Sequence, residues 1–272
     1  MNFKFIQFSH QDHIAHVVLN RPDMRNAFNP EMISEIEEIF KIQLPLISGL
    51  RAVLLSGAGA SFCAGGDLEW MKSMAQFSFE QNHKDARELF SMFLSMKNCE
   101  VPLIGFVHGH AMGGGVGLAA VCDIVAAESH TEFALSEVRL GIAPAVISTF
   151  VLEKMTPSSA RRYMLTGDKF SATEARDHGL VNFAGSKTEC DSFIESILKS
   201  LFDSGPEAVR ETKKLIKFCL FEKDLSRIES ECTRLIATRR ASPEGQEGLK
   251  AFLNKTKPNF KIALPKNLRN GK

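Results

Sequence analysis

The stretch Leu103-Ile104-Gly105-Phe106-Val107-His108-Gly109-His110-Ala111-Met112-Gly113-Gly114-Gly115 carries an apolar strand into a glycine-rich turn, from which a short helix runs to Cys122. A second stretch has the same plan. Val53-Leu54-Leu55-Ser56-Gly57 leads through Ser61-Phe62-Cys63-Ala64-Gly65-Gly66 to a helix that begins near Asp67-Leu68. Glycine admits backbone conformations closed to other residues and lets a ligand approach closely. The first N–H groups of a helix lack internal partners and sit at its positive end. Two such loops facing each other can aim two N–H donors at one developing oxyanion. The bland reading of either loop alone is tight packing of helix on strand.

Outward from these loops, strands and helices alternate. Phe3–Phe8 and Ile14–Leu19 read as strands joined by a polar turn, Ser9–His13. Asn29 and Pro30 read as the cap and first residue of a helix that carries Met32, Ile33, Ile36, Ile39 and Phe40 on one face to about Leu44. Ala52–Leu55 and Leu103–Val107, apolar throughout, suit a sheet covered on both sides. A helix spans Phe79–Met96, and Ile124–Ala127 is a further strand. Strand–helix alternation implies an α/β body. Beyond Gly185 only helical patterns remain, at about 188–202, 206–220, 224–240 and 243–254, with Ser242-Pro243 a strong helix start. The expected division is an α/β core over residues 1–195 and a helical domain over 196–272.

Composition excludes several classes. The 272 residues include 44% apolar and 24% charged residues, enough for a sizeable core without disulfide staples. Cysteines 63, 99, 122, 190, 219 and 232 form no CxxC pair, so neither a zinc site nor a redox motif is signalled. A formal charge of +1 gives no support to a nucleic-acid binder. No apolar run is long enough for a membrane span or a signal peptide, so a cytoplasmic protein that spans no membrane is expected. After Glu247 the charge turns basic, with Lys250, Lys255, Lys257, Lys261, Lys266, Arg269 and Lys272 and no acid. Walker, dinucleotide and Ser-hydrolase motifs are absent: Gly113-Gly114-Gly115-Val116-Gly117 satisfies neither GxxxxGK[ST], GxGxxG nor GxSxG.

The ordered motifs resemble the crotonase (enoyl-CoA hydratase/isomerase) superfamily. They are Leu19-Asn20-Arg21-Pro22 with Asn26-Ala27, Phe62 to Leu68, Gly109 to Gly115 with Cys122-Asp123-Ile124, Phe133 to Gly141, and Leu165-Thr166-Gly167 with Gly179-Leu180-Val181. The resemblance spans about residues 14–260. It implies an α/β spiral of ββα units and a C-terminal helical trimerisation region, assembled as a homotrimer or as a hexamer of two trimers. It also implies an acyl-CoA substrate, with no metal and no cofactor beyond the coenzyme A of that substrate. By motif position, the N–H groups of Gly66 and Gly114 form the oxyanion hole, each donor contributing on the order of 3 kcal/mol. Glu137 stands at the catalytic glutamate, a general acid/base. Ala64, Asp67, Leu68, Gly113 and Gly117 are further substrate- or CoA-binding candidates, Arg25 is a candidate for the coenzyme A phosphates, and Phe252 and Lys255 fall where relatives cover the nucleotide, often from a neighbouring subunit.

One departure divides the possible reactions. Hydratases of this family typically carry a second glutamate in a GGGxE segment, and Gly117 stands in its place. Glu137 then handles hydration alone with a second water in the space at Gly117, or shuttles a proton between carbons as a one-glutamate isomerase. The third reading is that the glycine leaves room for a carboxylated acyl group. Glu137 to Ser148 resembles a bacterial subgroup similar to methylglutaconyl-CoA hydratases of leucine breakdown, which favours hydration of a branched, carboxylated enoyl-CoA. Arg139 is a candidate partner for such a carboxylate, or else a surface ion pair. His108 and His110 are either active-site or structural histidines. A catalytically silent binder of coenzyme A or RNA is the rival from another class; the charge balance and the retained Glu137 argue against it.

Overall fold

The computed structural model describes residues 3–265, so Lys266, Arg269 and Lys272 of the expected basic tail lie outside the described residues. In chain order the elements are β1 Ile6–Gln11, β2 Ile14–Leu19, α1 Pro30–Glu38, β3 Ala52–Gly57, α2 Leu68–Met74, α3 Phe79–Lys97, β4 Leu103–Val107, β5 His110–Met112, α4 Gly114–Val121, β6 Ile124–Glu128 and β7 Glu132–Ala134. There follow α5 Ala145–Lys154, α6 Pro157–Thr166, β8 Lys169–Ser171, α7 Ala172–Asp177, β9 Phe183–Gly185, α8 Lys187–Asp203, α9 Pro206–Phe221, α10 Leu225–Ala241 and α11 Pro243–Leu253.

The first hairpin is tighter than its polar residues suggest. Asp12 and His13 take φ of 50° and 71°, the two-residue turn whose twist matches paired strands. Pairing therefore runs from Ile6↔Leu19 to Gln11↔Ile14, and Ser9 and His10 are strand residues rather than turn. Asn29 caps α1 by accepting the Met32 N–H at 2.9 Å, and Met32, Ile33 and Ile36 are buried. The expected helix to Leu44 changes character at Ile39: a wide turn over Ile39–Gln43 and a tight one over Leu44–Leu46 bring the chain to its next strand.

Two compact units divide the described residues, one of residues 3–99 with 103–194, the other 100–102 with 195–265. The first holds both sheets. Six strands lie in the order β1-β2-β3-β4-β6-β9, parallel except for β1 against β2. Three short strands form a second sheet, β5-β7-β8. From β4 the chain crosses to β5, passes through α4 and returns to β6. It crosses again to β7 and returns to the large sheet at β9. Each circuit advances by one strand, so the α/β body is a spiral of strand–strand–helix units. The strand β5 lies inside the glycine-rich turn expected over Gly109–Gly117. Helix α4 is buried from Gly115 to Val121, as an all-apolar helix must be.

The second unit contains the last helices. Glu244 accepts the Glu207 and Ala208 N–H groups at 3.0 and 2.9 Å, which serves the start of α9. Ser242 caps α11 through the Gly245 N–H at 3.0 Å. Neither α9 nor α10 buries any residue completely. Among the described residues no helix is long and apolar enough to cross a membrane.

Candidate active site

The two glycine-rich loops are stitched together through their backbones. Phe62 N–H donates to His108 O at 2.9 Å, Cys63 N–H to His110 O at 3.0 Å, and Met112 N–H back to Cys63 O at 3.0 Å. Asn26 anchors the first loop from beneath. It is fully buried, accepts the Arg21 N–H and donates to Ala58 O and Ser61 O, each at 2.8 Å. The closeness needs glycine: a Cβ on Gly65 would lie 3.0 Å from Met112 O, and one on Gly115 only 2.5 Å from Cys63 O.

This stitching engages neighbouring amides but not those of Gly66 and Gly114. Gly113 N–H donates to Ala134 O at 2.8 Å, and Asp67 N–H to Phe28 O at 2.7 Å. The N–H groups of Gly66 and Gly114 find no acceptor among the described residues. Gly114 is the first residue of α4, where an N–H has no partner within the helix. Phe28 seats both loops: its N–H donates to Gly65 O at 2.7 Å, and its ring lies 2.7 Å from where a Gly114 Cβ would sit.

Glu137 faces this junction from a single tight helical turn, Ser136–Leu140. Its Oε1 lies 2.9 Å from where a Cβ on Gly113 would be, and Gly113 has φ 50° and ψ −113°. Its Oε2 is buried without a hydrogen-bond partner. Burial raises its pKa above the usual carboxylate range. A carboxyl held this way takes up and returns protons near neutral pH better than an exposed one. Cys63 is no nucleophile, since burial pushes its thiol up to about 12.

Gly117 overturns the expected room. A Cβ there would lie 2.5 Å from Cγ2 of Ile147 and 2.9 Å from Cζ of Phe93. The side of α4 where a second carboxylate would project is filled by hydrocarbon from α5 and α3, so Gly117 lines neither a water site nor an acyl pocket. The apolar wall continues through Phe28, Phe93, Phe150 and Phe90, whose successive ring centroids lie 6.1, 5.8 and 5.5 Å apart. The helical spacing of Phe90 and Phe93 was visible in the sequence, but not that they close over Gly117.

Two further expectations are corrected. The Asp67 carboxylate caps α2 through the Glu69 and Trp70 N–H groups at 2.9 and 3.1 Å and binds Arg21 at 2.9 Å, so three of its four acceptor sites are given to the fold. Burial alone would raise its pKa, but the Trp70 amide, the Arg21 guanidinium and the Glu69 amide together hold it low. Arg139 donates to Asp168 at 2.8 Å and to Thr166 O at 3.3 Å on an exposed surface, so it is an ion-pair residue rather than an open carboxylate receptor.

The remaining candidates divide by place. Arg25, exposed with φ 48°, accepts the Ala64 N–H on its carbonyl at 2.9 Å and so borders the first loop. Leu68 is exposed at the first turn of α2. Phe252 and Lys255 are exposed in the second unit, at and beyond the end of α11. His108 bonds Gly59 O at 3.0 Å and stacks on Phe106; His110 bonds Ser61 at 3.1 Å and lies 3.6 Å from Glu132. Both brace the loops. Among the described residues no cluster of three His, Cys, Asp or Glu side chains could hold a metal ion.

Residues 9–263 match the sequence profile of the enoyl-CoA hydratase/isomerase family. The chain is 29% identical to the crotonyl-CoA hydratase of Syntrophomonas wolfei over 96% of this chain and 99% of that protein. The crystal structure of an enoyl-CoA hydratase from Shewanella pealeana superposes with a TM-score of 0.89 at 34% identity, covering 94% of this chain and 96% of the other. AtuE of Pseudomonas aeruginosa superposes with a TM-score of 0.91 at 30% identity, covering 95% and 100%.

Proposed function

Because the chain belongs to the enoyl-CoA hydratase/isomerase family and has the crotonase fold, we propose that it adds water across the double bond of an enoyl-CoA with Glu137 as its one proton-transfer carboxylate. The observation that carries this reading is the buried, unpartnered Oε2 of Glu137 beside the loop that holds Gly114. The thioester oxygen accepts from the N–H groups of Gly66 and Gly114. Water attacks the β-carbon and yields its proton to the Glu137 carboxylate as the π electrons move onto that oxygen. The enolate then takes the proton from Glu137 at the α-carbon. Each donor need only be stronger toward the enolate than toward the ground-state carbonyl to accelerate the step.

A second reading is isomerisation, in which Glu137 moves one proton between the α- and γ-carbons. It is favoured by the hydrocarbon of Ile147 and Phe93 where a second water-holding group would project. Incubation with crotonyl-CoA and with a 3-enoyl-CoA, with Glu137→Gln in parallel, separates them. Loss of enoyl absorbance with crotonyl-CoA supports hydration. Conversion of the 3-enoyl thioester alone moves isomerisation to the front.

For the acyl group, the resemblance of Glu137–Ser148 to methylglutaconyl-CoA hydratases points to a short, branched, carboxylated substrate such as 3-methylglutaconyl-CoA. Arg25, Ala64 and Leu68 would meet the coenzyme A end, and Phe252 and Lys255 would cover the nucleotide of a ligand held by a neighbouring subunit. The exposed Ile216, Leu220, Phe221 and Leu225 on α9 and α10 support a homotrimer or hexamer, which light scattering would measure. Six free thiols fit a reducing, cytoplasmic compartment.

A further inference from the structure

Six cysteines are scattered along the chain, and the fold brings two of them together. Cys219, in the last turn of α9, and Cys232, midway along α10, hold their Sγ atoms 4.0 Å apart although 13 residues separate them in sequence. Each thiol has the other as its hydrogen-bond partner. The remaining four, Cys63, Cys99, Cys122 and Cys190, are buried. Cys122 and Cys190 donate to Leu118 O and Ala127 O, both at 3.2 Å. Burial pushes the Cys63 and Cys190 thiols up to about 12 and about 11. Cys219 is exposed and Cys232 half-buried, so among the described residues this is the one pair of thiols within reach of a reagent in solvent.

The turn between the two helices is pinned. The Glu222 carboxylate accepts the Lys223 and Asp224 N–H groups at 2.9 and 3.1 Å and pairs with Arg227 at 2.8 Å. Asp224 caps α10 through the Ser226 N–H at 2.9 Å. The folded helices therefore present the sulfurs to each other. Bonding them needs an approach of about 2 Å, to the S–S length of roughly 2.05 Å, which rotation of a surface side chain can supply.

We propose that Cys219 and Cys232 form a reversible disulfide that staples α9 to α10, with a low-molecular-weight disulfide as the oxidant. The exposed Cys219 thiolate attacks one sulfur of the small disulfide, whose S–S bond breaks, and the departing thiolate takes up the proton that Cys219 lost. The Cys232 thiolate then attacks the Cys219 sulfur of the mixed disulfide, and the second small thiol leaves with the Cys232 proton. The protein gives up two hydrogens and two electrons, and the small disulfide becomes two thiols. Desolvation and the hydrogen bond to Cys232 hold the Cys219 thiol above its ordinary range, so exchange quickens as pH rises. In a reducing compartment the pair stays open until the thiol pool is oxidised. The staple restricts chiefly the unfolded chain, so closing it stabilises the second unit. Ile216, Leu220, Phe221 and Leu225, read above as an assembly surface, lie on the same two helices, so the thiols are tested in the assembled protein.

The 272-residue chain is equilibrated with rising ratios of glutathione disulfide to glutathione, quenched with acid, alkylated and weighed. The expected product is lighter by two hydrogens, carries a peptide joining Cys219 to Cys232, reverts with dithiothreitol and has a higher urea midpoint than the reduced protein. Cys232→Ser should stop at a glutathione adduct on Cys219. The double variant Cys219→Ser, Cys232→Ser should neither lose hydrogens nor gain an adduct, and should keep the urea midpoint of the reduced wild type. Six alkylated thiols at the most oxidising ratio overturn the proposal. So do a glutathione adduct on Cys219 that persists in the wild type, a disulfide that joins two copies of the chain, and a loss of two hydrogens that survives in the double variant. A closed pair with no gain in urea midpoint overturns the staple.

Discussion

The Cγ2 methyl of Ile147 lies 2.5 Å from the point where a Cβ on Gly117 would sit. The glycine is therefore a packing requirement of α4 against α5, and the missing second carboxylate is replaced by hydrocarbon rather than by space. Gly117→Glu should not build a two-carboxylate site. Overpacking costs about 1–3 kcal/mol and an unpaired buried carboxyl adds to it. The variant should show a lower urea midpoint, and Gly117→Glu with Ile147→Ala should regain part of the loss. A stable single variant with faster hydration would contradict this packing.

Glu137→Gln should lower kcat by roughly 10²–10⁴-fold and leave the fold intact by circular dichroism. Its effect on stability has a definite sign. Burial raises the Glu137 pKa in the folded state, so the neutral carboxyl is the form the fold prefers. That contribution is complete below the ordinary carboxylate range and is lost as pH rises through the raised value. At pH 8 the glutamine variant should then melt no lower than the wild type. A clear drop in its midpoint would mean that the ionised carboxylate has a stabilising partner.

The rate should follow the same group. A carboxylate that accepts the proton of water must be ionised, so kcat/KM should rise with pH through a limb displaced above the usual carboxylate range. A pH–rate profile with its acid limb at an ordinary glutamate value would remove Glu137 from the base role.

Gly113 sits at φ 50° and ψ −113°, with a Cβ position 2.9 Å from Oε1 of Glu137. Gly113→Ala should cost about 1–3 kcal/mol of stability for the strained backbone and displace the carboxylate, so activity should fall more than stability explains. Gly141→Ala is the control: its φ is also positive, at 74°, but a Cβ there meets nothing within 4 Å. It should lose stability only, and equal loss of activity in both variants would count against the contact with Glu137.

Arg21 and Asp67 form an ion pair at 2.9 Å with side chains only 12% and 6% exposed. Arg21→Ala leaves the Asp67 charge buried and should cost about 3–5 kcal/mol, read from urea unfolding. Asp67 is held below its ordinary range, so its stabilisation is present above the unfolded carboxyl value and fades as pH falls through the lowered one. A cost under 1 kcal/mol would place the pair with ordinary surface bridges.

Local sequence was enough for the caps and the loops. Asn29-Pro30 starts α1 because an amide oxygen followed by a preset φ satisfies a helix end without outside help. The apolar runs at Ala52 and Leu103 are strands buried in a parallel sheet because nothing in them prefers water. Tertiary structure decided what the side chains at those loops face. Asp67 binds Arg21, 46 residues away, and Arg139 binds Asp168, 29 residues away, so both side chains are engaged within the fold. Position 117 reads as empty along the chain because a glycine has no side chain. In the folded protein it is full, because Phe93 and Ile147, from helices on either side of it in sequence, pack against the same face of α4. Helical spacing places a residue on a face, and only the packing of one helix on another says what that face meets.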